Sequence, residues 1–358
     1  MFSNLWPRTS YFFKDFSLYL IIDFIFLILT LFLSFKILKF KFIDKKKKFY
    51  LSLVYTAFVI AIVFSAQEAY FRYVYDEPDA LGFLNTSQKW TQRHVVLNNY
   101  FFRDRDFKEK PPQVTRVGIV GDSITFGAGI KNPDDRFSTI VEKKLQKAGE
   151  NVEVYNLGRP GYDTDEEIEV YNSIKHLNFD IIIWQYFLND IQPKVKSTGT
   201  RIIEINRDLP PLLQFITKKS YFADFLYWRF SARYQKTIYQ LRTADLAQYQ
   251  NQTRLAEHQA AIESFIKSLK NENKKIVVVI FPSLSFLGPD YPAREIHAQM
   301  AQFFQRNNVD EVIDFLEDLK DKNPQQLMAG KFDSHPNEFV HNLVAEKLFL
   351  VLAPLMKK

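Results

Sequence analysis

The sequence contains no cysteine, which excludes disulfides, thiolate metal ligands and a cysteine nucleophile. Surplus charge is also missing from almost the whole chain. The formal net charge is +6, but the stretch from Lys36 to Lys48 holds seven lysines against the single acid Asp44 and accounts for all of it. The remainder is neutral, so no basic face is left for a phosphate backbone, and nucleic acid is not expected as a partner. Glycine is scarce, at 11 of 358 residues. No Gly-Lys-Ser/Thr loop, GxGxxG turn or GxSxG elbow occurs, which removes the common nucleotide cradles and the α/β-hydrolase nucleophile turn. The histidines His94, His176, His258, His297, His335 and His341 form no HExxH-type spacing, so neither metal nor cofactor is expected. Apolar residues make up 47% and charged residues 25%, a composition that argues against wholesale disorder.

Two long apolar runs flank the lysine cluster. Residues 16–35 contain one charge, Asp23, and residues 49–67 contain none. A hydrocarbon core of ~30 Å needs ~20 helical residues, so each run is long enough to span a bilayer. Buried helices of a soluble fold are the alternative for both. For the first, a cleaved signal peptide is a further alternative, but its apolar core is too long and it lacks a small-residue cleavage site. Read as a two-helix hairpin over residues 1–67, the segment places the lysines in the cytoplasm and everything after residue 67 outside it, because short Lys-rich loops stay inside. Arg8, Lys14 and Asp15 at the start oppose this only weakly. Asp23 is assigned no role. The expected location is therefore the cytoplasmic (inner) membrane, with two passes and an extracytoplasmic or periplasmic C-terminal domain.

Residues 68–113 read as a polar, aromatic-containing connector ending at Pro111-Pro112. Beyond it, strands are predicted at 115–120, 152–157, 180–186 and 274–281, with a weaker one at 309–315. Helices are predicted around 136–148, 164–177, 245–272, 292–307 and 337–356. In the third, Leu255, Ile262, Ile266 and Leu269 recur at helical spacing. Strands alternating with helices predict one α/β domain over 114–358, with a parallel sheet covered on both faces. Almost 90 residues separate the third and fourth strands, where a βαβ unit needs about 30. The surplus, about 193–244, has nine aromatics from Phe215 to Tyr239 and reads as a partly helical insertion over the strands' carboxyl ends. It is either an extra packing layer or a lid or membrane-facing flap.

Seven of the glycines fall between Gly118 and Gly161, after the first two strands, where open α/β sheets bind ligands. The first turn reads Gly121-Asp122-Ser123-Ile124-Thr125-Phe126-Gly127. A serine at a strand's carboxyl end, just before a helix, is placed to present a hydroxyl nucleophile among backbone N–H groups. After the second strand comes Asn156-Leu157-Gly158-Arg159-Pro160-Gly161-Tyr162, a tight turn able to expose another N–H. After the third comes Phe187-Leu188-Asn189-Asp190, with an amide able to donate. Before the last helix lies Asp333-Ser334-His335-Pro336-Asn337. A serine needs a base, histidine titrates in the right range, and a nearby carboxylate can orient it. Asp122 and Asp190 read as loop-capping carboxylates.

These blocks, in this order, resemble the SGNH/GDSL hydrolase family over the whole of 120–337. The run Leu97-Asn98-Asn99-Tyr100-Phe101-Phe102-Arg103-Asp104 resembles the Asn-x-x-Gly-Phe-Arg-Asp run that precedes the domain in membrane-anchored relatives. The resemblance implies a parallel sheet of about five strands with helices on both faces. It implies Ser123 as nucleophile and, through its N–H, first oxyanion-hole donor, with Gly161 N–H second and the Asn189 amide third. It further implies His335 as general base, oriented by Asp333. Two positions depart from the family pattern. Phe187 stands where the usual GxND has glycine, which would narrow or reshape the oxyanion loop. Asp333 lies two residues before His335 rather than three, as in a D-x-HPN variant among membrane-anchored relatives.

Three functions follow from this reading. The leading one is a membrane-anchored serine ester hydrolase working through an acyl-enzyme on an acylated glycan, a lipid or a small ester. The second is an O-acyltransferase that passes the acyl group to a cell-envelope glycan. The third is a catalytically idle binding module. The ester itself and the oligomeric state are not legible in the sequence.

Overall fold

The computed structural model describes residues 9–38, 44–192 and 208–357. Arg8, part of the lysine loop and residues 193–207 of the expected insertion lie outside them. The chain divides into two compact units, one holding Met1–Asp76, Leu84–Thr86 and Asp208–Ser231, the other Glu77–Phe83, Ser87–Arg207 and Ala232–Lys358.

In the first unit, helix α1 (Thr9–Leu38) packs against α2 (Lys45–Ala69), which continues through a π-helical turn at Tyr70–Val74. Their outward surfaces are apolar, with Leu18, Phe24, Leu31, Phe35 and Ile60 each more than half exposed. A water-soluble helix pair would bury such a face. Phe16–Lys36 and Lys45–Val74 are both long and apolar enough to cross a membrane. At the end of α2, the fully buried Glu68 pairs with Arg72 at 2.8 Å and accepts from Ser220 Oγ and from the N–H groups of Tyr221 and Phe222. Its carboxylate thus caps the helix Tyr221–Phe230 in the sense a helix dipole favours.

The second unit is built on five parallel strands, β1 (Thr115–Val120), β2 (Val152–Asn156), β3 (Ile181–Phe187), β4 (Lys275–Phe281) and β5 (Glu311–Asp314), in the order β2-β1-β3-β4-β5. Every residue of β3 is buried, as a central parallel strand covered on both faces requires. The crossover helices are Phe137–Lys147, Thr164–Ile174, Gln252–Asn271 and Arg294–Arg306. A final helix, Glu338–Met356, packs beside Phe137–Lys147. It too is long and apolar enough to cross a membrane, yet Val340, Val344, Leu348 and Leu352 are fully buried along one face, which makes it part of this core.

The helix predicted over 245–272 is in fact two, Ala232–Gln248 and Gln252–Asn271. The break has a local cause. Asn251 turns its side chain back to accept from Arg254 N–H at 3.1 Å, and Tyr249 is drawn inward, its hydroxyl 2.5 Å from that of Tyr186. The connector is also ordered into the domain. Arg103, 1% exposed, donates to the carbonyls of His94, Gly127 and Ile130, while Asp104 accepts from Asn156 N–H at 2.6 Å. Burial and the neighbouring Arg136 push the Arg103 guanidinium down to about 9. The strand order reverses between β1 and β3, so a crevice opens at their carboxyl ends. Ser123 and Asn189 both follow directly from those ends.

Candidate active site

Gly121 follows the last residue of β1, and the chain turns at once into a short helix, Ser123–Phe126. Asp122 caps that helix by accepting from Ile124 N–H at 2.8 Å. Beneath the turn, Gln185 Oε1 on β3 accepts from Asp122 N–H, Thr125 N–H and Thr125 Oγ1 at 3.1, 3.2 and 2.9 Å. A side chain at Gly121 would meet that same oxygen at 2.4 Å, which explains the glycine. From β2, Asn156 donates its amide to the Thr125 carbonyl and to Ser138 Oγ. Gly158 lies so close that a Cβ would sit 2.2 Å from Phe126 N. The turns after β1 and β2 are therefore locked together by backbone contact.

The Ser123 hydroxyl is 2.8 Å from His335 Nε2. The other imidazole nitrogen, Nδ1, bonds Asp333 Oδ1, and the same carboxylate oxygen accepts from His335 N–H at 3.0 Å. That Asx turn accounts for the two-residue spacing: one oxygen holds both the backbone and the ring of His335. Asp333 is 1% exposed and the His335 side chain 16%. Burial alone would lower the His335 pKa. The Asp333 carboxylate, with help from Asp122, outweighs burial and the opposing charge of Arg242, so the imidazole is raised above its ordinary value.

The turn after β3 is closed despite Phe187. Its N–H donates to Asp190 Oδ2 at 2.7 Å, and Asp190 N–H returns to the Phe187 carbonyl at 3.0 Å. The Phe187 ring is buried, and the Arg242 guanidinium stacks on it 4.7 Å from the centroid. Asp122 and Asp190 thus serve as caps. Burial holds both carboxyls above the ordinary range, with Glu167 behind them also held well above it. Gly161 has φ +79°, in the left-handed region that glycine adopts without strain. Among the described residues nothing accepts from the Gly161 N–H or the Asn189 amide.

Ser123, Gly161, Asn189, Asp333 and His335 all line one cavity of about 480 Å³. Sequence reasoning missed other residues of its wall. Arg242 and Asp245 come from the helix Ala232–Gln248, Trp90 and Thr91 from Asn85–His94, and Asp79 from the chain before it. No motif marks them. Gln185 had a visible signal, as the one amide in an otherwise apolar or aromatic strand. The remaining histidines sit elsewhere: His258 bonds Tyr186, His297 bonds Asp314, and His341 accepts from Phe137 N–H. Burial drives His258 and His341 down to about 3.

A serine hydroxyl, an imidazole and a carboxylate joined in one line, beside unpaired N–H donors, can withdraw the serine proton and receive negative charge on a carbonyl oxygen. The match to known families agrees with this arrangement. The model of the GDSL-like lipase/acylhydrolase family matches residues 119–343, more than half of the chain. The chain belongs to that family. Among solved structures it is similar to TesA, at 16% identity over 67% of this chain and 99% of that one, with a TM-score of 0.43. It is also similar to the psychrotrophic esterase EstA from Pseudoalteromonas sp., at 12% identity over 68% and 100% of the two chains, TM-score 0.41. A third is a catalytic mutant of Axe2, an acetylxylan esterase from Geobacillus stearothermophilus, at 16% identity over 66% and 94%, TM-score 0.41. No curated protein sequence matches the chain.

The electrostatics can be checked by NMR titration of the full chain in detergent. His335 should titrate above 6.5 and Asp333→Asn should lower its pKa, while His258 and His341 stay neutral down to about 3. An unchanged His335 pKa in Asp333→Asn would contradict the pairing.

Proposed function

We propose that this protein is a membrane-anchored serine ester hydrolase of the GDSL type, with its catalytic domain outside the cytoplasm. The observation that carries the reading is the 2.8 Å contact between Ser123 Oγ and His335 Nε2, with Asp333 on the opposite ring nitrogen. Ser123 Oγ attacks the acyl carbonyl carbon as His335 Nε2 takes its proton. The oxyanion is received by the N–H groups of Ser123 and Gly161 and by the Asn189 amide. As the bond to the alcohol oxygen breaks, His335 returns the proton to that oxygen, leaving an acyl-Ser123. Water, deprotonated by His335, then attacks the acyl carbon, and as the bond to Ser123 Oγ breaks His335 returns the proton to that oxygen, releasing the acid and restoring the serine. Asp333 keeps the Nδ1 proton in place and stabilises the imidazolium. An acylated glycan or lipid fits the proposed location at the membrane surface.

Activity should fall at least about a thousandfold in both Ser123→Ala and His335→Ala, and the double variant should be little worse, because such groups act as a unit. Multiplicative losses would separate them into different roles. The rate should rise with pH through the His335 pKa, since neutral imidazole is the active base. Because that pKa is raised, the rise should centre above 6.5. In Asp333→Asn it should move to lower pH.

The proposed orientation rests on the lysines between the two apolar helices. A C-terminal reporter that is active only in the cytoplasm should stay dark in cells, and one active only outside should light up. The reverse pattern would invert the topology.

A further inference from the structure

The wall of the cavity is rich in carboxylates, but each already holds a donor from the protein. Asp79 accepts from Leu81 N–H, Phe83 N–H and Ser87 Oγ, Asp163 from Glu166 N–H, and Asp122 from Ile124 N–H. Asp333 is engaged with His335, and Asp245 accepts from the Gln192 amide. The cation is different. Among the described residues that line the cavity, Arg242 is the one lysine or arginine. Its Nη1 reaches Asp245 Oδ2 only at 3.5 Å, and among the described residues no other acceptor meets its guanidinium. Five donors in a fixed fork are thus met at one corner.

This fork is held in place. Its Cζ lies over the Phe187 ring, and its side chain is 19% exposed, so little freedom is left to lose on binding. Phe187 stands where the family pattern has glycine, and its ring supplies the platform. Beyond the donors proposed for the oxyanion, the cavity therefore offers the unmet N–H groups of this guanidinium fork. A ligand that completes them brings a second group rich in acceptor oxygens, and a guanidinium fork matches carboxylate and phosphate best.

We propose that Arg242 is a specificity-determining residue that binds an anionic group, carboxylate or phosphate, carried by the ester substrate. The proposal rests on the esterase reading of the Ser123 site. It assigns Phe187 the task of holding the fork, and it makes the substrate an ester with a charged oxygen group on its acyl or its alcohol side.

The test uses the full-length protein in detergent and two matched pairs of esters. 4-Nitrophenyl acetate and mono-4-nitrophenyl succinate differ by a carboxylate on the acyl side. 1-Acetylglycerol and 1-acetylglycerol 3-phosphate differ by a phosphate on the alcohol side. In at least one pair, Arg242→Gln should lower the anionic-to-neutral ratio of kcat/KM at least tenfold, with Arg242→Lys between the two. The pair that responds identifies the source of the anion. Calorimetry on Ser123→Ala, which leaves the ester intact, should show at least tenfold weaker binding of that anionic ester when Arg242→Gln is added. Equal effects on both members of each pair, with equal binding by the two Ser123→Ala proteins, would overturn the proposal. Failure of the wild type to cleave any of the four esters would instead count against the esterase reading, and the binding comparison would still decide the role of Arg242.

Discussion

One carbonyl oxygen holds the turn on which the site depends. Gln185 Oε1, buried in the central strand, takes three hydrogen bonds from the residues on either side of Ser123. Each such bond contributes about 1 kcal/mol net, and leaving a buried N–H unmet costs about 1–3 kcal/mol. The same amide has a price, since Gln185 Nε2 finds no acceptor among the described residues. The arrangement works because the strand beneath is immobile: β3 is buried throughout and paired on both sides. Asn156 and Gly158 then join the second turn to the first, and Arg103 ties the Gly127 and Ile130 carbonyls to the chain before the domain. Ser123 is positioned by the sheet through these contacts.

The charges around the site divide by environment. Asp333 shares one oxygen between the backbone and the ring of His335, which keeps that imidazole basic although it is mostly buried. Asp122, Glu167 and Asp190 lie in low-dielectric surroundings where each disfavours ionisation of the next, and all three are raised. Their hydrogen bonds go to backbone N–H groups and to Trp184, so their work is to hold loops. The contrast separates a carboxylate that supports a base from carboxyls that support turns. Arg242 adds the one lysine or arginine among the described residues of this wall, its guanidinium over the Phe187 ring.

Much of this was legible from residues alone, for physical reasons. Parallel strands buried on both faces leave continuous apolar runs, and the five strands could be read, within a residue or two at their ends, from TRVGIV, VEVYNL, DIIIWQY, KKIVVVIF and VDEVIDF. Short motifs after strands 1, 2 and 3 pointed to Ser123, the turn 156–162 and Asn189 because such sheets bind at their carboxyl ends, and Gly161 was singled out by the family resemblance. Less legible was anything decided by long-range contact. The break at 249–251 also brings Tyr249 to Tyr186, a contact that no local pattern marks. Arg242 lies in an aromatic-rich insertion with no motif, so only its place over Phe187 reveals it. Phe187 read as a departure that narrows or reshapes the oxyanion loop; its ring is buried and its N–H donates to Asp190.

The central claim is that Ser123 is an activated nucleophile, and the covalent label of a fluorophosphonate tests it most directly. Full-length protein in detergent is treated with the probe, digested and measured by mass spectrometry. The account predicts a single phosphonyl adduct on the peptide containing Ser123, formed rapidly in the wild type and lost in His335→Ala. No adduct, or one that persists on another residue in Ser123→Ala, would contradict it.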